Sequence, residues 1–331
     1  MSKKRVLVTG AGGFIGHHMI RFLKKKGYWV RGADIKYPEF SSPEEADEFL
    51  LLDLRQMQNC LIATVGIDMV YAFAANMGGM AFVTNVKADV MRDNALININ
   101  MAESCKVNSV KRVFFSSSAC VYPEYKQLDV QISPLKETDA YPAQPDTAYG
   151  WEKLFSEILF KSYESDHGLE MRIARFHNIF GPEGTYMGGK QKAPADICRQ
   201  VASAKNRDKI KLVGDGEQTR SFCYIDDCLK GIYLLMNSNY NQPLNIGSDR
   251  LVSINHMTDI ICKISDKQLG IEYNPGPQGV RGRNADLTLC RKILKWTPKI
   301  SLEEGLKRTY HWIDQELKKR GSIRKKIKAY A

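Results

Sequence analysis

The stretch VTGAGGFIG, Val8 to Gly16, decides the fold. It follows a short β-branched run within Arg5–Gly10 (RVLVTG). It opens a segment, Phe14–Lys26, in which Phe14, Ile15, Met19, Ile20 and Leu23 recur at helical spacing before Gly27 stops the pattern. Gly10, Gly13 and Gly16 therefore stand at a strand-to-helix turn. Glycine there permits a tight bend and lets the backbone N–H groups of the turn, with Phe14 and Ile15, approach a pyrophosphate at the helix N-terminus. The spacing is G-x-x-G-x-x-G, and alone it is a weak signal. It gains force from a second strand, Trp29–Asp34, that ends in an acid. A carboxylate at that place accepts hydrogen bonds from a ribose diol and repels a 2′-phosphate, so the expected cofactor is NAD. Asp53 and Leu54, after a third strand within Asp47–Asp53, are placed to meet adenine.

Further strands read at Met69–Ala75, Lys111–Ser117 and Met171–Arg175, with helical patterns between them at Met91–Lys106 and Glu152–Glu164. Strands alternating with helices imply right-handed βαβ units and a parallel sheet covered on both faces. The expected fold is α/β, a Rossmann-type doubly wound parallel sheet with a smaller mixed α/β substrate-binding lobe. After Gly181-Pro182 the alternation breaks down. Helices then read near Ala195–Ala204, Asp227–Met236, Asn255–Ile264 and Ser301–Lys318, the last opened by a capping box of Ser301 and Glu304. The expected division gives residues 1–177 to the dinucleotide, with a return around 222–248, and residues 178–221 and 249–331 to the substrate.

The chain has 331 residues, 44% of them hydrophobic, which suffices for a sizeable core. It holds no apolar run of about 18 residues, and Met1–Arg5 leads directly into a strand, so a soluble, cytoplasmic protein is expected. Eight cysteines without a C-x-x-C pair argue for reduced thiols rather than a disulfide frame. Cys223 and Cys228 flank Tyr-Ile-Asp-Asp with no histidine at metal spacing, so no metal is expected. The net charge of +11 is concentrated in Lys3–Arg5, Lys24–Lys26 and Arg324–Lys328. Such runs serve as solvated ends or attract anions. No aromatic-interleaved RNA motif accompanies them, so neither nucleic acid nor membrane is an expected partner.

YGWEK supplies Tyr149 and Lys153, one helical turn apart on one face. Tyrosine alone, with a pKa near ~10, is a poor base at neutral pH, and a nearby ammonium stabilises its phenolate. With the glycine turn and Ser118 at a strand end, these residues resemble the extended short-chain dehydrogenase/reductase superfamily over nearly the whole chain. RSFCYIDD (220–227) and LNIGS (244–248) share in that resemblance. It implies that Ser118, Tyr149 and Lys153 form a hydride-transfer set acting on the C4 hydroxyl of a sugar nucleotide.

SSSACVYPEY, Ser116 to Tyr125, adds a cysteine beside that set. Where many 4-epimerases of the superfamily carry threonine or serine, and dehydratases an acid, Ala119 and Cys120 stand here. A thiol, with a pKa near ~8.5, is far more acidic than a hydroxyl, so Cys120 is a candidate base toward carbon. GGKQKAPA (188–195) offers Lys190 and Lys192 as general acids in a glycine-flexed loop. These segments, with AANMGGMAF (74–82), DTAYGWEK (146–153), RFHNIFGPEGT (175–185), GDGEQTRSF (214–222) and GPQGVRGRN (276–284), resemble the GDP-mannose 3,5-epimerase family. That resemblance implies a GDP-sugar substrate, Cys120 as base, Lys192 as acid, and a homodimer. Its substrate contacts map onto Gly78, Ser118, Ala119, Cys120, Asn178, Gln191, Lys192, Ala193, Gln218, Thr219, Arg220 and Arg283. In that family the product, GDP-L-galactose, leads to ascorbate. Gln200 and Gln191 depart from the family pattern, which has a lysine and an acid at these places. A nucleotide-sugar 4-epimerase, and a non-catalytic NAD- or RNA-binding relative, are the competing readings. Helices Met91–Lys106 and Tyr149–Glu164, with Ala95, Ile99, Leu154, Ile158 and Leu159, are the expected dimer face.

Overall fold

Short apolar runs bounded by Gly and Asp become strands, and the longer stripes between them become helices. The computed structural model describes residues 3–330, with side chains to residue 322, so Arg324–Lys328 lie outside the described side chains. The first part runs β1 (Arg5–Thr9), α1 (Phe14–Lys25), β2 (Trp29–Asp34), β3 (Glu48–Leu51), α2 (Met57–Thr64), β4 (Met69–Ala72), α3 (Met80–Asn85), α4 (Lys87–Val107), β5 (Arg112–Ser118), α5 (Ala148–His167) and β6 (Glu170–Phe176). Then follow β7 (Ile179–Phe180), α6 (Ala193–Ser203), β8 (Lys209–Val213), β9 (Thr219–Ser221), β10 (Cys223–Tyr224), α7 (Ile225–Met236) and β11 (Leu244–Ile246). The chain ends with β12 (Leu251–Ser253), α8 (Ile254–Ser265), β13 (Gly270–Asn274), β14 (Gly282–Arg283), α9 (Thr288–Leu294) and α10 (Leu302–Tyr330).

Seven strands form one parallel sheet in the order β11-β6-β5-β4-β1-β2-β3. Strand alternation sends Val6 and Val8 to one core and Leu7 to the other, on opposite faces of the sheet. Both faces are covered, which is why β1 reads as a continuous apolar run. The order reverses beside β1, so the carboxyl ends of β1 and β4 flank the crevice where such sheets take ligands. After α6, β8 and β9, the chain returns through α7 to β11, whose Leu244 pairs with Ala174 of β6. The remaining strands form three small sheets, β10-β7, β12-β9-β14 and β13-β8. β14 and β9 lie parallel, with Arg283 opposite Arg220.

Several expectations shift. The helices α2, α3 and α9 were not legible in the sequence, and α4 begins at Lys87 rather than Met91. In α1 the buried stripe is Gly16, His17, Met19, Ile20 and Leu23, while Phe14 and Ile15 are half-buried. Only half the capping box of α10 forms. Glu304 N donates to Ser301 Oγ at 3.2 Å, but the Glu304 carboxylate accepts from Arg308 instead of returning to the cap. Leu154 is buried in a core cluster and not on the outer face of α5.

His17 is buried because its ring contacts Gly13 O at 2.8 Å and Glu183 at 3.0 Å, tying α1 to the loop after β7. His18 stands 3.9 Å from the same carboxylate, and the Arg21 guanidinium supplies there the positive charge a metal ion would otherwise bring. Burial raises the Glu183 pKa, but the bonds from His17 and Arg21 outweigh it and hold it at about 2. The folded carboxyl thus lies below its unfolded value of ~4.3, so its stabilisation is complete above about pH 5 and fades as pH falls toward 2. Glu183→Gln is expected to cost on the order of 1–2 kcal/mol at neutral pH and almost nothing near pH 2. Urea unfolding of both chains at the two pH values measures the gap.

Candidate active site

The glycine turn lies at the switch point. A Cβ on Gly16 would stand 2.0 Å from Gly10 O, so only glycine lets α1 start this close to the end of β1. Gly13 is the N-cap of α1 and makes no side-chain cap, leaving the first-turn N–H groups for a ligand. Asp34, at the end of β2, accepts from Gly12 N at 2.9 Å and from Lys36 N at 3.2 Å. Asp53 is engaged by Arg55 through Nε and Nη2, which holds its carboxyl below the usual range, and Arg55 also reaches Asp93. The Leu54 side chain points into the core, 2% exposed.

Two strand-to-helix segments bring the redox candidates together. Ser118 ends β5, and its hydroxyl accepts from Cys120 N at 3.2 Å, which caps the short helical turn carrying Ala119 and Cys120. Tyr149 and Lys153 lie in the first turns of α5, whose N-cap Thr147 accepts from Gly150 N at 3.2 Å. A Cβ on Gly150 would stand 2.1 Å from Cys120 O, so glycine after Tyr149 lets the cysteine turn lie directly on α5. Burial pushes the Tyr149 phenol up, as do Cys120 and Glu152, and the Ser118 hydroxyl draws it partly back. Burial pulls Lys153 down, while Glu152 and Glu157 oppose that. The Lys153 ammonium stands 4.7 Å from the Phe115 ring centroid and 5.7 Å from that of Tyr149. A phenol and an ammonium held side by side in a dry site suit proton transfer to and from a hydroxyl.

Cys120 differs from most of the other cysteines. Six of the eight are buried, and burial pushes their thiols up, those of Cys60 and Cys290 to about 12. Cys120 is half-buried, and Arg283 Nη1 donates to its sulfur at 3.1 Å. Lys192 is the N-cap of α6. Its side chain is reachable by solvent, yet enough protein surrounds it to lower its pKa, against the opposing influence of the Cys120 and Cys228 sulfurs. Lys190 turns the other way, donating to Asn76 Oδ1 at 3.2 Å with its ammonium 4.2 Å from the Phe82 ring centroid. Of the two loop lysines, Lys192 is the one that feels the Cys120 sulfur electrostatically.

The other sequence-selected residues are held in differing states. Gly78 packs against Phe82, and Gly79 beside it packs against the Gln191 carbonyl, joining the segment before α3 to the loop before α6. Ala193 is the exposed first residue of α6. Gln191 spends its amide on Gly189 N and Asp196. The Gln200 side chain pairs with Lys211 N and O at 2.8 and 3.0 Å, so it closes an internal link between α6 and β8 instead of facing a ligand. Asn178, at φ 42°, donates to Ser221 O. Gln218 donates to Val213 O and keeps a buried Oε1 without a partner, and Thr219 donates to Val130 O. Arg220 donates to the carbonyls of Thr219, Gln278 and Val280, and burial with the nearby Arg283 charge lowers its pKa to about 9.

With this geometry established, comparison with known proteins decides the family. Residues 6–247 match the model of the NAD dependent epimerase/dehydratase family. The chain belongs to that family. It is 48% identical over 318 residues to GDP-mannose 3,5-epimerase 1 of Oryza sativa subsp. japonica, covering 96% of this chain and 83% of the relative. It is 47% identical over 316 residues to GDP-mannose 3,5-epimerase of Arabidopsis thaliana, covering 95% and 83%. UDP-glucuronate 4-epimerase of Thermodesulfobacterium geofontis is 29% identical over 333 residues, covering 96% of this chain and 98% of the relative. Among solved structures, UDP-glucose 4-epimerase of Thermotoga maritima with UDP-glucose superposes with TM-score 0.85 at 26% identity, covering 95% and 99% of the two chains. UDP-glucuronic acid 4-epimerase from Bacillus cereus, in complex with UDP-glucuronic acid and NAD, gives 0.81 at 26% identity, covering 94% and 99%.

As an NAD-dependent epimerase/dehydratase, the chain offers a turn that fits the cofactor. The uncapped N-terminus of α1 suits a pyrophosphate, the close approach at Gly16 leaves room for it, and Asp34 suits a ribose diol. No helix among the described residues is long and apolar enough to cross a membrane. Sequence reasoning passed over Gln127, which contacts Arg283 directly, and Asp146, which lies inside the quoted DTAYGWEK but carries no local signal of its partner. It also missed His177, whose ring meets Asn245 at 2.9 Å behind Asn178 and whose burial lowers its pKa to about 3.

Proposed function

We propose that this protein converts GDP-D-mannose to GDP-L-galactose by inverting C3 and C5, with GDP-L-gulose as the product of inversion at C5 alone. The observation that carries this reading is the thiol of Cys120, touched by Arg283 on a turn that lies against Ser118 and the start of α5, where Tyr149 and Lys153 stand, with the Lys192 ammonium within its electrostatic reach. A 4-epimerase needs the redox set but no group acting on carbon. The identity of 48% to a GDP-mannose 3,5-epimerase, against 29% to a 4-epimerase, supports the same choice.

Bound NAD supplies the hydride acceptor and donor that make C4 a ketone and return it to an alcohol. Tyr149 takes the proton from the C4 hydroxyl and later gives it back, with Ser118 hydrogen-bonded to the same oxygen and Lys153 stabilising the phenolate. Next to a C4 ketone, the hydrogens on C3 and C5 are acidic. The Cys120 thiolate removes such a proton, an S–H bond forms as the C–H bond breaks, and the electron pair passes to the carbonyl oxygen as an enolate. Lys192 then gives a proton to the same carbon from the opposite face, and the pair collapses back to the ketone. Proton exchange with water resets thiol and amine for the second carbon. A lysine whose pKa burial lowers gives up its proton more readily, which suits this donor role. Residues 1–177 with the return at 222–248 hold the dinucleotide in this reading, and residues 178–221 and 249–331 hold the GDP-sugar. The test is incubation with GDP-mannose and identification of the sugars formed. GDP-L-galactose is expected, and a C4 epimer as the sole product would make the 4-epimerase reading correct.

The same reading includes a homodimer in the cytoplasm, and eight free thiols accord with that compartment. Trp151, Phe155 and Ile158 leave 44%, 44% and 53% of their surface exposed along one face of α5, beside exposed Leu96 and Ile99 of α4. Two copies facing each other through these helices would bury that stripe in an isologous four-helix interface. Ile158→Asp is expected to give a folded monomer by light scattering where the unaltered chain gives a dimer. A monomeric mass for the unaltered chain would reject the assembly.

A further inference from the structure

The Cys120 sulfur touches a guanidinium that an amide and a carboxylate also hold. Arg283 donates from Nη1 to Cys120 Sγ at 3.1 Å and from Nε to Gln127 Oε1 at 2.6 Å. Its Nη2 forms an ion pair with Asp146 Oδ1 at 3.6 Å, and both of those atoms are buried and make no hydrogen bond. Gln127 is fully buried, and Arg283 and Asp146 nearly so, at 6% for the residue and 7% for the side chain. Gln127 is held in turn. Its Nε2 donates to Tyr122 O and Pro123 O, both at 3.1 Å, which fixes the orientation of its amide and turns Oε1 toward Arg283. Its own carbonyl accepts from Arg281 N at 2.9 Å, tying the segment after Cys120 to β14.

Such pinning has a physical reason. Arg220 lies opposite Arg283 in the pairing of β9 with β14, so two guanidiniums repel across a strand pair. Arg220 is tied to backbone carbonyls of its own surroundings. Without anchors, Arg283 would move away from Arg220 and from the sulfur together. Although burial alone would lower its pKa, Cys120 and Asp146 keep it raised.

We propose that Gln127 and Asp146 are positioning residues that pin Arg283 on the Cys120 sulfur, aiming that sulfur and keeping a cation beside it. Cys120 is the base only on the function proposed above, and the assignment of Gln127 and Asp146 rests on that reading. Lys192 and Arg220 also act on the sulfur, so Arg283 is the cation in contact within a positive surrounding.

The test separates charge from position by sign. In the NAD-loaded protein at neutral pH, the rate at which iodoacetamide modifies Cys120 is read by peptide mass, site by site. Asp146→Asn removes an anion, which by charge alone would make the sulfur more reactive. Loss of positioning predicts the reverse, a rate lower by about tenfold, the scale of one charge-assisted hydrogen bond. Arg283→Lys keeps the charge but cannot meet Gln127 and the sulfur at once, and the same slowing is expected. It carries the test should Asp146→Asn fold poorly. With GDP-mannose, kcat of Asp146→Asn should fall more than KM rises. Unchanged or faster alkylation in the variants would overturn the proposal. If alkylation slows as stated but the unaltered chain does not convert GDP-mannose, the clamp stands and the epimerase reading fails.

Discussion

Cys120→Ala is expected to lower formation of the C3- and C5-inverted products by at least ~10²–10⁴, the range of a single general acid–base group. The loss should be specific. Ser118, Tyr149 and Lys153 stay in place, because the short turn after β5 is held by the Ser118 cap on residue 120's backbone N–H and by the contact of the residue 120 carbonyl with Gly150. Oxidation at C4 should therefore remain measurable as transient reduction of the cofactor, while the carbon protons stay where they are. Cys120→Ser sharpens the point. A serine hydroxyl would still accept from Arg283 and fill nearly the same volume, yet it is too weak an acid to supply the anion that carbon deprotonation needs. A cysteine that merely filled space would tolerate serine with little loss. Steady-state product analysis of both variants distinguishes the cases.

Tyr149→Phe is expected to remove turnover by a comparable factor, but by an earlier failure. The phenylalanine ring refills the apolar pocket beside Val83 and Val90, so the fold and the glycine turn are not disturbed. What disappears is the hydroxyl that exchanges a proton with the substrate oxygen. No ketone then forms, and without a ketone the hydrogens beside it are not acidic, so Cys120 and Lys192 have nothing to act on. Carbon exchange must therefore vanish together with C4 redox chemistry. In Cys120→Ala, by contrast, C4 oxidation persists and the carbon step that follows it is blocked. This asymmetry between the variants follows from the order of the two chemistries, and transient absorbance of reduced cofactor with single substrate turnovers reads it.

The parts of this arrangement legible in the sequence were those set by local rules. The glycine turn, the β-branched runs and the stripe of α1 depend on neighbours within a few residues, and they place β1, β2 and the start of α1 within a residue or two. Tyr149 and Lys153 are adjacent on one helix, so their pairing was also visible. What escaped was set at a distance or was too short to show a period. α3 and α9 have six and seven residues and no side-chain cap, and so give no periodic signal. The burial of His17 depends on Glu183, 166 residues away. The contact of Arg283 with Cys120 spans 163 residues, and nothing in the composition around either one announces it. The family resemblance gives Arg283 only as a substrate contact. The structure gives it a sulfur, an amide and a carboxylate as neighbours.

If Cys120 and Lys192 act as assigned, carbon, and not only the C4 oxygen, exchanges protons in this site. The most direct measurement is to incubate the unaltered protein with GDP-mannose in heavy water and examine the recovered GDP-sugars by NMR and mass. Solvent deuterium is expected at C3 and C5 of GDP-L-galactose and at C5 of GDP-L-gulose, because each inversion passes through an enolate of the C4 ketone that is reprotonated by a group in exchange with solvent. Turnover that changes configuration at C4 alone and leaves no deuterium on carbon would contradict this assignment.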